Sequence, residues 1–157
     1  MMIRDFLEVA TMLNKQFEEL PVLYGSLGLG RVIRQDFNPD DVDVLISDDL
    51  VIGRWKDLKK AMKNTSFALR DVKEREFERD NVRIAFAPAS DLEKLTSITV
   101  KSLKITEESD ARFLELTPRQ YMEVYKSSQN EQYRKKNGKA EKDKYKIKMI
   151  EEYFTGE

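Results

Sequence analysis

Apolar side chains recur every three or four residues near both ends of this 157-residue chain. This spacing predicts helices, because it gathers the apolar side chains on one face of each helix. The first helix covers residues 2–20 and ends at Pro21, since proline cannot continue a helix. Near the C-terminus, Thr117 caps a long helix that begins with Pro118, and a last helix covers residues 141–154.

Between these helices the apolar stretches are shorter, and several of them alternate with polar residues. This pattern predicts β-strands, which we place at residues 22–24, 41–47, 67–69, 72–79, 82–87, 103–106 and 112–116. The dipeptide Asp80-Asn81 is typical of a tight turn between two strands. Residues 107–110 connect a second predicted hairpin.

Three shorter helices are predicted between the strands, at residues 27–33, 54–63 and 90–95. Ser90 and Glu93 have the spacing of a capping box at the start of the last of these. The strands outnumber those of a simple βαβ alternation, so the predicted fold class is α+β. We expect a mixed, twisted sheet with helices on one side and a C-terminal helical pair. Residues 1–116 would form the main domain and residues 117–157 a helical extension packed on it.

The composition narrows the possible chemistry, since the chain contains no cysteine and no histidine. Cysteine nucleophiles, disulfides, serine–histidine relays and ordinary zinc sites are therefore excluded. Carboxylates remain as metal ligands, and oxygen-only ligation favours Mg²⁺ or Mn²⁺. No stretch approaches the ~20 apolar residues of a membrane helix, and the N-terminus has no signal-peptide core. We expect a cytoplasmic protein with no membrane partner.

The formal net charge of −1 conceals two oppositely charged segments. Between Arg34 and Arg54 there is no basic residue, and six aspartates fall there: Asp36, Asp40, Asp41, Asp43, Asp48 and Asp49. Residues 131–148 contain eight basic residues: Arg134, Lys135, Lys136, Lys139, Lys142, Lys144, Lys146 and Lys148. An acidic segment suits a cation and a basic one suits phosphate or nucleic acid, so an NTP–magnesium complex would use both. A solvated helix face is the alternative for the basic segment.

The residues that could carry chemistry lie between positions 24 and 46. Gly25-Ser26 follows the first predicted strand, and the helix that begins there would offer free N–H groups and a positive dipole end to a phosphate. Asp41 and Asp43 lie on the next strand, where alternation puts both on one side, close enough to share a divalent metal. The alternative is a serine-capped helix followed by a solvated acidic loop before a core strand.

Gly-Ser after one strand and Asp-x-Asp on the next resemble the motif of the DNA-polymerase-beta-like nucleotidyltransferase superfamily, over about 23 residues. Gly30-Arg31 before Asp-x-Asp makes the segment most similar to the head domain of tRNA CCA-adding enzymes and poly(A) polymerases. The whole chain resembles small uncharacterised Gram-positive bacterial proteins of this fold. The resemblance implies a minimal nucleotidyltransferase fold and a Mg²⁺- or Mn²⁺-dependent transfer of NMP from an NTP to an acceptor hydroxyl.

The resemblance also implies a role for each residue of the motif. Asp41 and Asp43 would bridge the metal ions. Gly25 and Ser26 would bind the β- and γ-phosphates through backbone N–H groups and the hydroxyl. These four residues are intact, which favours an active enzyme.

Positive charge for the triphosphate would come from outside the motif. Lys142 could screen it, with Lys139 or Arg31 as substitutes. For Lys142 the alternative is an exposed helix turn with alternating charges, and for Arg31 it is a surface role.

Many members of the superfamily carry a third carboxylate on a later strand, and here the natural strand, residues 82–87, contains none. Glu76 or Glu78 on the neighbouring hairpin strand could substitute if its side chain faces the site. Members of the CCA-adding branch rely mainly on the Asp-x-Asp pair, so the departure alone does not imply inactivity.

Resemblance to a head domain does not carry tRNA over as the substrate, because the chain is too short for the neck, body and tail domains of those enzymes. The acceptor could be RNA, a small molecule or a protein. Two other classes stay open: a catalytically degenerate nucleotide- or RNA-binding module, and a partner protein of the toxin–antitoxin type. The sequence leaves the NTP and the oligomeric state undecided.

Overall fold

The computed structural model describes residues 2–130 and 139–156, without the side chains of residues 139 and 140. Within these ranges the helices are α1 (Met2–Phe17), α2 (Gly25–Ile33), α3 (Trp55–Asn64), α4 (Ser90–Leu95), α5 (Pro118–Gln129) and α6 (Lys139–Thr155). The strands are β1 (Val22–Tyr24), β2 (Val42–Ile46), β3 (Ala68–Asp71), β4 (Glu76–Arg79), β5 (Val82–Pro88), β6 (Lys104–Glu108) and β7 (Ala111–Glu115). A π-helical turn covers Asp49–Gly53 and a 3-10 turn covers Val100–Ser102.

The seven strands form one sheet in the order β3-β4-β5-β2-β1-β7-β6. β1 pairs with β7 and β2 pairs with β5 in parallel, whereas the other neighbours pair antiparallel. The predicted α+β class with a mixed sheet is therefore confirmed. Strands β1 and β2 lie side by side in the middle of the sheet, so residues at their shared end meet at its centre.

Helices cover both faces of the sheet, and the predicted placement of helices on one side is wrong in this respect. On the first face, α1 and α3 pack against Leu23, Val44 and Phe86. On the second face, α2, α4, α5 and α6 pack against strand residues that include Val22 and Leu45. Because side chains alternate along a strand, the central strands supply apolar residues to both cores. Periodicity shows that a helix has an apolar stripe, but not which face of the sheet that stripe covers.

The apolar cores on the first and second faces of the sheet are called the first core and the second core. The C-terminal pair, α5 and α6, belongs to the second core. Tyr121 and Val124 of α5 and Ile147 and Ile150 of α6 are buried in the same cluster as Leu45. The pair therefore packs on the sheet, while the division of the chain into two domains at residue 116 stays a prediction. No helix in the described ranges is both long enough and apolar enough to cross a membrane.

Turn chemistry decides several boundaries. Helix α1 ends at Phe17 rather than at residue 20, and the next residue, Glu18, has a φ of 52°. Asp80 and Asn81 both have positive φ, at 50° and 68°, as a two-residue hairpin turn requires. The second hairpin also turns on two residues, Ser109 and Asp110, so the predicted four-residue connection is wrong.

Of the two predicted helix caps, one is confirmed and one is wrong. Thr117 accepts a hydrogen bond from the Gln120 N–H at 3.2 Å, and the Gln120 side chain accepts one from the Thr117 N–H at 2.8 Å, which confirms the cap of α5. The capping box at Ser90 is wrong, because α4 has no side-chain cap. The Glu93 carboxylate instead accepts a hydrogen bond from the Val100 N–H at 3.0 Å.

Candidate functional site

Asp43 lies within β2 and Asp41 directly precedes that strand. Val42 and Val44 face the first core, so alternation turns Asp43 toward the second face. The strand register places Asp43 opposite Tyr24 of β1 and opposite Ala85 of β5. The two aspartates thus lie two residues apart near the centre of the sheet, and the charge of Asp41 acts on Asp43. Their role as metal ligands stays a prediction.

Gly25 brings the start of α2 against the Asp43 carboxylate. Its φ of 69° lies in the left-handed region, and a Cβ at this position would collide with the Asp43 Oδ2. Only glycine meets both conditions. The helix begins at Gly25 and its N-cap residue, Tyr24, makes no side-chain capping bond, so Ser26 lies in the first turn and is not the cap. The N–H groups of that first turn have no partner within the helix.

The environment of the pair disfavours ionised carboxylates. Burial raises the pKa of Asp43 to about 7, and the charges of Asp41 and Glu76 act in the same direction, while Lys146 opposes them. Burial also raises the pKa of Asp41, together with the charges of Glu76 and Asp40. Crowded carboxylates of this kind take up either a proton or a cation.

Glu76 is the better placed of the two possible third carboxylates. The register puts Glu76 opposite Ala85, which is itself opposite Asp43. The three residues form one row on the second face, with the small alanine in the middle. Glu76 is buried and accepts a hydrogen bond from Arg70 Nη1 at 2.8 Å.

Glu78 also pairs with this arginine, at 3.3 Å from Arg70 Nε, and has no part in the pKa shifts of the two aspartates. No three acidic side chains of the described residues lie close enough together to hold a metal ion. A third metal-binding carboxylate therefore stays a prediction.

Arg31 is not brought to the site. Its guanidinium pairs with Glu108 at 3.0 Å and with Glu115 at 3.1 Å, and lies over the Phe113 ring at 5.7 Å. Phe113 belongs to the first core, so these contacts lie on the other face of the sheet from Asp43. Leu27, one helical turn earlier, packs against the same core, which fixes the direction of Arg31.

A lysine of α6 does reach the site, one turn later than predicted. Lys142 is exposed, whereas the charge of Lys146 acts on Asp43 and its Nζ lies 5.1 Å from the centre of the Tyr125 ring. Ile147 and Ile150 define the buried side of α6, and Lys146 lies at its flank. The side chain of Lys139 lies outside the described residues, as does the part of the basic segment at 131–138.

Three stacked tyrosines connect the site to α5. The Tyr24 and Tyr121 rings are 6.4 Å apart, and the Tyr121 and Tyr125 rings are 6.1 Å apart. The Tyr121 hydroxyl donates to the Leu23 carbonyl oxygen at 3.2 Å, and a Cβ on Gly28 would strike that hydroxyl. Tyr24 is opposite Asp43 in the strand register, so the stack leads from the site to α5, and the sequence did not indicate this arrangement.

A cavity of about 250 Å³ opens beside Asp43 on the second face. Ala85 and Ala87 are among the residues that line it, with Tyr24 and Leu92. Glu74 and Asp91 add two carboxylates to that of Asp43. The small alanines leave the space that longer side chains of β5 would fill. The arrangement combines a carboxylate pair, a helix N-terminus and a cavity within one part of the molecule.

Comparison with known proteins gives a relative that covers most of the chain. No model of a known protein family matches the chain. The chain is 34% identical over 146 residues to the uncharacterized protein YnaI of Bacillus subtilis (strain 168), and the match covers 93% of each protein. The chain therefore belongs to the same protein family as Bacillus subtilis YnaI.

Proposed function

We propose that the chain is a metal-dependent nucleotidyltransferase that transfers NMP from an NTP to an acceptor hydroxyl. The observation that carries the proposal is the contact between Gly25 and the Asp43 carboxylate. It brings the N-terminus of a helix, which attracts phosphate, against a carboxylate pair, which attracts a divalent cation. Nucleotidyl transfer uses these two elements together.

The donor set fits Mg²⁺ or Mn²⁺. Asp41 and Asp43 would hold the cation through oxygen, which both metals prefer. A bound cation would offset the effects of burial and of repulsion between the acids, which together raise both pKa values. When bound, the cation supplies positive charge to the reacting phosphate group.

The chain's own groups would bind and orient the NTP. The free N–H groups at the start of α2 and the Ser26 hydroxyl donate to phosphate oxygens. Lys146 supplies the positive charge that the sequence had assigned to Lys142 or Lys139. The cavity beside Asp43 receives a part of the nucleotide or of the acceptor.

Two measurements test the proposal in sequence. Calorimetric titration with each of the four NTPs, with and without Mg²⁺, should show binding that requires the metal. Release of pyrophosphate is then followed with RNA, small-molecule and protein acceptors. Absence of metal-dependent NTP binding would refute the proposal.

One observation favours a second candidate, a degenerate nucleotide-binding module. Ala85 occupies the position beside Asp43 on the neighbouring strand, and Arg70 binds the nearest alternative carboxylate, Glu76. A module of this kind would bind metal–NTP and release no pyrophosphate with any acceptor. The variant Ala85→Asp would add a carboxylate beside Asp43, and turnover that appears only in this variant would support the second candidate.

A further inference from the structure

The free edge of β3 lies at one end of the sheet. β3 pairs with β4 on one side, and no described residue bonds to its other side. Ala68, Leu69 and Arg70 are exposed. The outward N–H and C=O groups of an edge strand form a template on which another extended chain can pair.

An apolar groove runs beside this edge, between β3 and α3. Its volume is about 470 Å³, and its lining includes Phe67, Leu69 and Phe77. Leu69 exposes 37% of its surface there. A groove with apolar walls beside a free strand edge can bind the side chains of an added strand as well as its backbone.

Two lysines of α3 border the groove. Lys59 and Lys63 line it, and neither pairs with a carboxylate of the described residues. They are one helical turn apart, so about 6 Å separates them along the helix axis. The groove therefore combines apolar walls with unpaired positive charge, which favours an occupant that is both apolar and acidic.

We propose that this groove binds an extended acidic segment of a partner protein, which adds to β3 as a further strand. An apolar side chain of the segment covers Leu69, and flanking carboxylates pair with Lys59 and Lys63. The register shift between Leu69 and Asp71 interrupts the regular edge, so the paired segment is short. This interaction is separate from nucleotide binding, because Asp43 lies on the second face and the groove on the first.

The contacts of the groove favour a peptide over a nucleic acid. The two aromatic rings that line the groove, Phe67 and Phe77, are buried and cannot stack on a base. The ring next to them is that of Trp55. Its surroundings are already occupied, because Lys59 Nζ and the Arg75 guanidinium each lie 5.8 Å from its centre and the Phe77 ring lies 5.7 Å away. Single-stranded nucleic acids depend on such stacking, whereas a strand edge pairs with a peptide backbone.

Fluorescence anisotropy with a labelled peptide, Glu-Thr-Val-Thr-Glu, tests the proposal on the full chain. The peptide should bind, and the charge-inverted peptide Lys-Thr-Val-Thr-Lys should not. The double variant Lys59→Glu/Lys63→Glu should weaken binding about tenfold or more. The matched control is Lys101→Glu/Lys104→Glu, which makes the same charge change near the opposite sheet edge and should leave affinity unchanged. Thermal melting verifies that both variants are folded.

A second probe examines strand addition itself. Methylation of alternate backbone nitrogens of the peptide should abolish binding, because it removes the N–H donors that pair with β3. Failure of the unmodified peptide to bind the wild type, or equal binding by the two double variants, would overturn the proposal. A single-stranded RNA that binds the same lysines more tightly than the peptide would overturn it in favour of a nucleic-acid surface.

Discussion

Two acidic clusters on this sheet are built in opposite ways. Around Arg79, one guanidinium bonds Asp5 at 2.9 Å, Glu8 at 2.7 Å and the Thr65 carbonyl oxygen at 2.8 Å. It also lies 4.3 Å from the centre of the Phe67 ring. Hydrogen bonds from the arginine lower the pKa of Glu8, so this cluster favours ionised acids and joins α1 to β4.

Around Asp43, the acids repel one another and burial opposes their charge. The pKa of Asp43 rises to about 7 although Lys146 partly opposes the shift. In the first cluster the arginine outweighs burial and lowers the pKa of Glu8. Around Asp43 the charge of Lys146 does not outweigh burial and repulsion, and a bound cation would add the missing positive charge. Carboxylates that weaken the fold in this way are typical of functional sites. This difference between the two clusters supports our proposal that Asp41 and Asp43 hold the metal.

The largest expected effect comes from Gly25→Ala. The new Cβ would strike the Asp43 carboxylate and strain a backbone at φ 69°. We expect metal–NTP binding to be lost and stability to fall by about 1–3 kcal/mol. The control is Gly53→Ala, whose added Cβ would lie at an ordinary contact distance, 3.4 Å, from Asp49 Oδ1 of the same turn. Calorimetry measures the NTP affinity of the two variants, and chemical denaturation measures their stability. Normal NTP binding by Gly25→Ala would show that the turn is merely structural.

Asp43→Asn should stabilise the metal-free protein at high pH. Between the usual aspartate pKa and about 7, folded Asp43 keeps a proton that the unfolded chain has released. Stability therefore falls as pH rises through this window, by about 2–4 kcal/mol in total. Asparagine cannot titrate, so the stability of the variant should not fall in this window. Its free energy of unfolding should exceed that of the wild type by the largest amount at pH 8. Parallel pH profiles of the two unfolding free energies would contradict the assignment.

Arg79→Ala should have the opposite consequence. It leaves Asp5 and Glu8 without their partner, and we expect a loss of about 2 kcal/mol at neutral pH. Because the folded pKa of Glu8 is lowered, its contribution is present above the unfolded pKa and is lost as the pH falls through the folded value. The loss of stability in Arg79→Ala should therefore become smaller as the pH falls. The exposed pair of Arg112 and Glu107, at 3.2 Å, supplies the control, since Arg112→Ala should cost less than ~0.5 kcal/mol.

The smallest effect separates two lysines of α6. Lys146→Ala should weaken metal–NTP binding several-fold, whereas Lys142→Ala should leave it nearly unchanged, because only Lys146 acts on Asp43. The difference should narrow at high salt, since an exposed charge is screened over ~8 Å at physiological ionic strength. Titrations at low and high salt measure this difference in affinity. Equal affinities of the two variants would show that Lys146 has no part in binding.

The sequence predicted the elements of this fold well because local patterns determine them. The described strands and the terminal helices lie near their predicted places, since periodicity and turn residues such as Asp80-Asn81 act over a few positions. The strand predicted at residues 72–79 is an exception in part, because residues 72–75 form a turn and β4 begins at Glu76. The faces of the sheet covered by each helix depend on long-range packing, and there the prediction of helices on one side failed.

The same limit applies to the candidate site. Alternation along one strand predicted that Asp41 and Asp43 share one side. In the structure Asp43 lies in β2 and Asp41 just before it, and the charge of Asp41 acts on Asp43. Arg31 and Lys142 could not be placed in this way, because the direction of a helix residue depends on which neighbouring core its helix packs against. Ile147 and Ile150 carry a signal that could have identified Lys146, since they mark the buried side of α6.

The most direct test compares the two clusters in one experiment. Electron paramagnetic resonance of Mn²⁺ is recorded while an NTP is titrated into three proteins: the wild type, Asp43→Asn and Asp5→Asn. The two variants make the same chemical change, one in each cluster. We predict a bound Mn²⁺–NTP signal in the wild type and in Asp5→Asn, and none in Asp43→Asn. Equal signals in all three proteins would contradict the assignment of the site to Asp43 and the function proposed from it.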